Sequence, residues 1–423
     1  MYLHGVYTAS LIGLILGCKP RPDLDDSHRD LSEALTVFPG AEGFGSDTTA
    51  GRGGEVLIVS NLKAAGPGSL RAALEAKGKR TVVFSVSGTI WTTEDITIAD
   101  PFLTVAGQTA PSPGITLAGA GIRVEASDVL IQHLRIRPGD REEGPKGENR
   151  DALTIANHHE LIARVVIDHC SLSWGTDENT STWYDLEDIT YSHNLISEGL
   201  YESLHPEGEH SKGLLIGDGS RRVSVIRNVF AHNEDRNPVM KGDTSTLVVN
   251  NLVYDPGVFG IVHYGKRGCC PMLATIEENQ VIPGKSTPDS AVALTITGKS
   301  NKKSRIYERA NGSTQNDGKD EIWTSDPPVS VLPLTVVPRS ELESLLLPVV
   351  GARPADRDEV DNRVISQIID RTGKGIDSQK QVGGWPDLAE NEATWELPSE
   401  PSADDNGDGY TNLEEWIHGI LPR

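Results

Sequence analysis

Cysteine and aromatic residues are scarce in this 423-residue chain, which has four cysteines and 5% aromatic side chains. Cys269 and Cys270 are adjacent, and adjacent cysteines rarely have the geometry to bridge each other. Cys170 lies inside an apolar run, which is typical of a buried free thiol. Neither a disulfide framework nor a cysteine zinc site is therefore expected. The 43 glycines and 25 prolines favour many short strands and turns over long helices.

Basic residues are also few relative to acidic ones: the chain has 39 lysines and arginines and 61 aspartates and glutamates, for a net charge of −22. This balance argues against a nucleic-acid partner, because phosphate binding requires a basic surface. A polyanionic substrate would be repelled as well unless a cation such as Ca²⁺ bridged protein and substrate carboxylates.

The longest leading apolar run, residues 6–17, is too short to span a bilayer and is typical of a signal-peptide core. It ends in Ile-Leu-Gly-Cys, which resembles a bacterial lipobox with Cys18 as the lipidated residue, although no Lys or Arg precedes it. We therefore predict a signal peptide at residues 1–18 and a polar linker at residues 19–36. The product would be a secreted or cell-surface bacterial protein, with a lipid anchor to the outer membrane if Cys18 is modified.

Short apolar runs recur from residue 103 onward. When four of these runs are aligned with one another, a cysteine and three asparagines fall in the same column. Cys170, Asn194, Asn228 and Asn251 align with separations of 24, 34 and 23 residues. A coil of about two dozen residues is typical of a parallel β-helix, and recurring asparagines suit an internal hydrogen-bonded ladder. The alternative is a set of unrelated loop asparagines.

The long separations contain polar insertions at residues 138–148 and 200–210. Insertions in a solenoid map to loops, often on the binding face. The catalytic solenoid is predicted at residues 37–300, with a short helix capped by Ser69 covering its open end. Residues 299–330 are expected to be irregular, and residues 301–398 to form an extension that packs along the solenoid.

The segment from 399 to 423 contains a calcium-loop pattern. Hard oxygen donors fall at the spacing of an EF-hand loop, with a glycine at its sharp turn. The predicted ligands are Asp404, Asn406, Asp408, Tyr410, Asn412 and Glu415. One helix follows and none is evident before, so we expect a single structural loop.

Three further segments carry polar residues between the apolar runs: residues 150–153 (Arg-Asp-Ala-Leu), residues 167–174 (Ile-Asp-His-Cys-Ser-Leu-Ser-Trp) and residues 235–238 (Asp-Arg-Asn-Pro). In these segments the chain resembles the pectate lyases of polysaccharide lyase family one, over roughly residues 37–270. The tail, residues 349–385, is similar to tails of bacterial members.

The resemblance implies a right-handed parallel β-helix that holds Ca²⁺ and cleaves polygalacturonate by β-elimination, giving 4,5-unsaturated oligogalacturonides. Asp151 and Asp177 match calcium ligands of the family, and Arg236 matches the arginine that takes the C5 proton. Lys241 matches a substrate-binding position, and Lys212 is expected to replace a lysine missing after Gly199.

Two departures leave the predicted calcium site with fewer acids than the best-known family members. Asn149 and Ser181 stand where further acids are expected. From the residues alone, Arg236 is interpreted as a group that binds a carboxylate and not as a base, since a guanidinium normally stays charged. Asp168 and His169 are expected to orient their neighbours.

The chain is expected to be a monomer, and three rival functions stay open. A β-helical hydrolase of the polygalacturonase type would use Asp151 and Asp177 as acid and base. A non-catalytic β-helix would bind carbohydrate without cleaving it. A lyase for methylated pectin is disfavoured by acids placed to hold Ca²⁺.

Overall fold

The computed structural model describes residues 31, 34–258, 260–263, 271–296, 303–316 and 327–420. The predicted signal peptide, Cys18 and most of the linker lie outside the described residues. Among the described residues, no helix is both long and apolar enough to cross a membrane.

Short strands dominate the described chain, in agreement with its glycine and proline content. The strands are β1 Glu55–Val59, β2 Arg80–Phe84, β3 Gly88–Trp91, β4 Ile96–Ile98, β5 Leu103–Ala106, β6 Ile115–Ala118, β7 Ile122–Val124, β8 Val129–Gln132, β9 Arg135–Arg137, β10 Leu153–Ala156, β11 Ile162–Asp168, β12 Ser171–Ser173, β13 Glu178–Trp183, β14 Leu186–Ser192, β15 Leu195–Ser197, β16 Lys212–Ile216, β17 Ser220–Ile226, β18 Val229–Ala231, β19 Val239–Met240, β20 Ser245–Val249, β21 Leu252–Tyr254, β22 Ile261–His263, β23 Leu273–Glu277, β24 Gln280–Ile282, β25 Leu294–Ile296, β26 Arg305–Arg309 and β27 Thr314–Asn316.

These strands form three parallel sheets that the chain visits in turn. Sheet I has the order β1-β2-β5-β8-β11-β14-β17-β20-β23-β26, sheet II runs β24-β21-β18-β15-β12-β9-β6-β3, and sheet III runs β27-β25-β22-β19-β16-β13-β10-β7-β4. Each circuit through sheets I, II and III is one coil, so the fold is a parallel β-helix, as predicted. Inward-facing Val, Ile and Leu from all three sheets fill one continuous core.

The predicted asparagine column is present at the turn between sheets I and II. The backbone N–H of Cys170 donates to Asn194 Oδ1 at 2.8 Å, and the Asn194 side-chain amide donates to Asn228 Oδ1 at 2.9 Å. Asn228 continues to Asn251, and the ladder then extends through Asn279 and Asn311, which the sequence pattern did not reveal. Cys170 is a buried free thiol, as expected, and burial raises its pKa to about 12.

The solenoid continues beyond the predicted boundary at residue 300. β26 pairs with β23, and β27 pairs with β25, so residues 305–316 belong to the coils and not to an irregular extension. The prediction failed because polar residues dominate this stretch and hide the apolar pattern. The alternation is still present in β26, where Ile306 is fully buried between exposed Arg305 and half-buried Tyr307.

Four α-helices flank the coils in the described residues: α1 Leu70–Leu74, α2 Leu342–Leu346, α3 Glu359–Asp370 and α4 Asn412–Ile420. The Ser69 hydroxyl accepts from the Ala72 N–H at the start of α1, as predicted for an N-cap. Leu70 and Leu74 are buried in the main core. The helix α2 lies against sheet II, where its Leu342 and Leu346 pack with Leu252 and Tyr254.

The start of α3 closes a buried charge cluster against sheet II. Arg135 and Arg137 are fully buried on β9 and are paired by Asp358 and Asp361 of the tail. Further along α3, Arg363 donates to the carboxylate of Glu198, which also accepts from Trp174 Nε1. The tail is thus held to several coils through ion pairs as well as apolar contacts.

We expect Asn228→Ala to lower the free energy of unfolding by about 1–3 kcal/mol, because it leaves the buried Asn194 N–H without an acceptor. Equilibrium denaturant unfolding measures the change. Asn362→Ala, at an exposed position on α3, is the matched control and should be near neutral. Equal effects of the two substitutions would contradict the importance of the ladder.

Candidate active site

Successive coils stack charged residues where the chain passes from sheet II to sheet III. Leu153 pairs with Thr180, which places Asp151 at the level of Glu178 on the next coil. Glu178 pairs with Lys212, and Lys212 forms a bridge with Asp235 on the coil after that. Because neighbouring strands lie about 4.8 Å apart, four coils bring these side chains together.

Three acids form the centre of this site. One carboxylate oxygen from each of Asp151, Asp177 and Glu178 lies within 4.8 Å of the others. Asp151 is buried and accepts hydrogen bonds from Ser181 Oγ at 2.6 Å, Thr154 Oγ1 at 2.8 Å and the Glu178 N–H at 3.0 Å. These bonds orient Asp151 toward the two acids of the following coil.

The electrostatics of the cluster suit a bound cation. Burial raises the pKa of Asp151 to about 8, and the nearby charge of Asp177 adds to this effect. A divalent cation would offset both penalties, and a set of carboxylate oxygens is what Ca²⁺ prefers. The donor set of Asp151, Asp177 and Glu178 therefore fits calcium.

Arg236 faces the three acids from the coil that carries Asp235, two coils beyond Glu178. Its backbone is left-handed, with φ of 61°, and its N–H donates to the Asp235 carboxylate at 2.6 Å. The guanidinium forms an ion pair with Glu178. Burial lowers the pKa of Arg236, whereas the charges of Asp177 and Asp151 act in the opposite direction. A partly desolvated guanidinium beside a cation-binding cluster can act on a bound carboxylate or on its neighbouring proton.

The structure brings Lys212 into this site and places Lys241 farther away. Lys212 Nζ lies 3.9 Å from Asp235 Oδ2, on the coil next to Arg236. Lys241 follows β19, five residues after Arg236, and lies over the ring of Trp183 at 4.6 Å from its centroid. At the usual rise along a strand this separation is roughly 16 Å, so Lys241 could reach only an outer part of a bound polymer.

Sequence reasoning missed Glu178 and two histidines. Glu178 follows Asp177 directly and supplies the additional acid that was expected at position 181, where Ser181 instead orients Asp151. His205 and His210 lie in the second insertion, and both approach Asp177. Their presence in an insertion predicted to line the binding face was the available signal.

The two predicted insertions pack against each other beside the acids. A Cβ placed on Gly147 would lie 2.1 Å from the Leu204 carbonyl oxygen, so the backbones are in direct contact. The Thr176 hydroxyl donates to the Gly147 carbonyl at 2.8 Å and ties the first insertion to the coil of Asp177. The insertions therefore form one wall of the site.

Asp168 and His169 lie elsewhere, at the turn between sheets I and II. Asp168 is buried and accepts from Gln132, Ser192 and His169, and His169 stacks on His133 and His193 of adjacent coils. This arrangement supports the prediction that the pair orients its neighbours.

The tail segment has the backbone form of a closed polar loop. Asp404 accepts from the N–H groups of Gly407 and Gly409 at 2.7 and 2.9 Å. Asn406 donates to Glu415, and Asp408 accepts from the Tyr410 N–H at 2.9 Å. Asn412 begins α4, whose Leu413 and Ile417 pack on Val83 and Ala106. One turn is thus surrounded by five of the six predicted ligands, Asp404, Asn406, Asp408, Tyr410 and Glu415. The sixth, Asn412, begins the helix that follows this turn.

A parallel β-helix with clustered acids and an adjacent arginine defines a class of polysaccharide-cleaving proteins. The chain is 33% identical to "Probable pectate lyase C" of Aspergillus flavus, covering 92% of this chain and 95% of the relative. It is 34% identical to the protein of that name from Neosartorya fischeri, at 92% and 94% coverage. The chain belongs to the pectate lyase family and is a polysaccharide lyase.

Solved structures show the same fold at lower identity. The chain matches the cedar pollen allergen Jun a 1 with a TM-score of 0.56 and 20% identity, over 74% of this chain and 92% of that one. A pectate lyase bound to a hexasaccharide matches with a TM-score of 0.52 and 14% identity, at 75% and 98% coverage. No family model matches the chain. The named relatives at 33% and 34% identity are fungal, so they do not support the predicted bacterial origin.

In cation-free buffer we expect Asp151 to make stability fall as pH rises from about 4 to about 8. The sign follows because the folded pKa lies above that of an unfolded aspartate, so the native state holds the proton more tightly. The slope is at most on the order of 1 kcal/mol per pH unit. Unfolding measurements on Asp151→Asn should lack this slope, and an unchanged pH profile would contradict it.

Proposed function

We propose that the protein is a calcium-dependent pectate lyase that cleaves polygalacturonate by β-elimination and yields 4,5-unsaturated oligogalacturonides. The observation that carries the proposal is the cluster of Asp151, Asp177 and Glu178 directly beside the partly desolvated Arg236. Acids alone would repel a polyuronate, so a site of this composition requires a cation between protein and substrate.

Arg236 is proposed to take the C5 proton of the uronate. That proton is α to a carboxylate and weakly acidic, so its removal needs a base in contact and stabilisation of the developing negative charge. The lowered pKa of Arg236 supports this role, because only a neutral guanidine can accept the C5 proton and desolvation favours the neutral form. As that proton leaves, the C4–C5 double bond forms, the C4–O bond breaks and the departing oxygen takes a proton from water. The ion pair with Glu178 holds the guanidinium in place before substrate arrives.

Asp151, Asp177 and Glu178 are proposed to hold the Ca²⁺, which when bound neutralises the substrate carboxylate and increases the acidity of the C5 proton. Lys212, beside Asp235, is proposed to bind a second carboxylate of the polymer. Lys241 is proposed to serve an outer sugar, where its present contact with Trp183 would be exchanged for a substrate carboxylate.

We expect Arg236→Ala to lower the rate of β-elimination on polygalacturonate by about 10²–10⁴-fold, the usual contribution of a general base. The ultraviolet absorbance of the unsaturated uronate product measures it, with calcium and with chelator. Arg305→Ala, at an exposed position on β26, is the matched control and should retain activity.

The rival functions give different results in the same assay. New reducing ends without the ultraviolet product, and activity in chelator, would establish a hydrolase. Binding of pectate without cleavage, with affinity kept in Arg236→Ala, would establish a non-catalytic β-helix. Faster cleavage of methylated pectin than of polygalacturonate would establish the methylated-pectin lyase.

We also propose that the tail loop binds a structural Ca²⁺ through Asp404, Asn406, Asp408, Tyr410, Asn412 and Glu415. The convergence of these residues on one turn supports it. Calcium should then raise the melting temperature of wild type more than that of Glu415→Gln, which removes the closing carboxylate. Equal shifts would contradict a site in the loop.

Four further proposals concern the solenoid cap, export, the working form and lipidation. The helix α1 is proposed to cover the open end of the solenoid, which its buried Leu70 and Leu74 support. Residues 1–18 are proposed to direct export, and the monomer to be the working form. Lipidation of Cys18 is the finer proposal, and an unmodified Cys18 in the mass of the mature protein would contradict it.

A further inference from the structure

The second insertion presents two buried imidazoles to Asp177. His210 Nε2 lies 3.0 Å from Asp177 Oδ1 and His205 Nε2 lies 3.6 Å from the same oxygen. The two rings stack with their centroids 3.7 Å apart, and His205 is only 9% exposed and His210 only 4% exposed. Both histidines are thus aimed at one acid of the candidate cation site.

The backbone of the insertion fixes these rings in place. It forms a hairpin in which Glu202 bridges Glu209 and the His210 N–H donates to the Tyr201 carbonyl at 2.9 Å. The hairpin tip closes through the Gly208 N–H, which donates to the His205 carbonyl at 3.0 Å. Contact with Gly147 of the first insertion limits movement away from the site.

The hydrogen bonds indicate that the rings act as donors. His205 Nδ1 accepts from the backbone N–H of Glu207 at 3.2 Å, so in the neutral ring Nε2 carries the proton. Histidines that bind metals show the opposite pattern, since their second nitrogen usually donates to a carbonyl or carboxylate. His210 Nε2 likewise donates to Asp177, because an ionised carboxylate can only accept.

We propose that His210, assisted by His205, positions Asp177 for cation binding and so sets the calcium affinity of the site. Three acids within 4.8 Å repel one another, and an imidazole donor on Asp177 holds its carboxylate in the cluster despite that repulsion. In this proposal His210 and His205 act on the cation only through Asp177 and are positioning residues. The proposal rests on the calcium-dependent function proposed above.

The test compares His210→Gln with His210→Met. Glutamine keeps an N–H donor at similar reach, whereas methionine has a similar length and no donor. Loss of a hydrogen bond to a charged group should raise the half-saturating calcium concentration of His210→Met about tenfold, with a smaller change in kcat at saturating calcium. His210→Gln should stay within about threefold of wild type, and the His205 pair should show the same order with smaller changes.

Calcium binding is measured in parallel by calorimetry, with every variant in a Glu415→Gln background to remove binding by the tail loop. Equal calcium dependence of His210→Met and wild type would overturn the proposal. Equal losses in His210→Met and His210→Gln would overturn it in favour of a structural role. If wild type lacked lyase activity but His210→Met still bound calcium more weakly, the proposed function would fail and the positioning role would stand.

Discussion

The in-register stacking of parallel coils is the constraint on which every other feature depends. Each strand must satisfy its backbone groups with the coil before and the coil after, so residues that are 23 to 37 positions apart in the sequence become neighbours. The same spacing produces the asparagine ladder at one turn and the charged stack at another. A single residue inserted inside a strand would shift its side chains to the other face, whereas an insertion at a turn does not alter the register.

The site uses this rigidity to hold groups that would otherwise separate. Three acids close together are unfavourable, and Asp151 in particular is buried. The coils supply Ser181 and Thr154 as donors to Asp151, and the insertions supply His210 as a donor to Asp177. A second set of asparagine bonds joins Asn179 to Asn233 and Asn233 to Asn237, and so ties the coil of Asp177 to the coil of Arg236. The arrangement is therefore prepared for a cation before any substrate binds.

The fold could be predicted from the sequence because the inward-facing residues repeat once per coil. Asn194, Asn228 and Asn251 aligned without knowledge of the structure, whereas Asn279 and Asn311 did not. The strand before Asn311, β26, is rich in polar residues, but β23 before Asn279 is apolar and buried, so the pattern was present there and was missed. Helix α3 packs Val364 and Ile368 against sheet II, whereas Ile369 is 60% exposed. Successive residues of a helix are about 100° apart, so Ile369 lies past the edge of the buried face.

The site residues that lie on the coils were predicted from the sequence, whereas those on the insertions were not. Asp151, Asp177, Arg236 and Lys212 come together because the repeat dictates which strands pair. His205 and His210 reach Asp177 through a hairpin whose path follows from contacts with Gly147, and no period in the sequence encodes such contacts. Glu178 was missed for a different reason. Consecutive residues of a strand point to opposite faces, so two adjacent acids are not expected in one site, yet the carboxylates of Asp177 and Glu178 both lie in this one.

The tail that crosses sheet II ties a coil near the start of the solenoid to a segment that is synthesised much later. Arg135 and Arg137 are fully buried, and their carboxylate partners, Asp358 and Asp361, emerge from the ribosome more than two hundred residues later. Until then the two guanidiniums have no acid to enclose them and favour contact with water. The order of translation therefore leaves this face of the solenoid without its acids until the start of α3 has been synthesised.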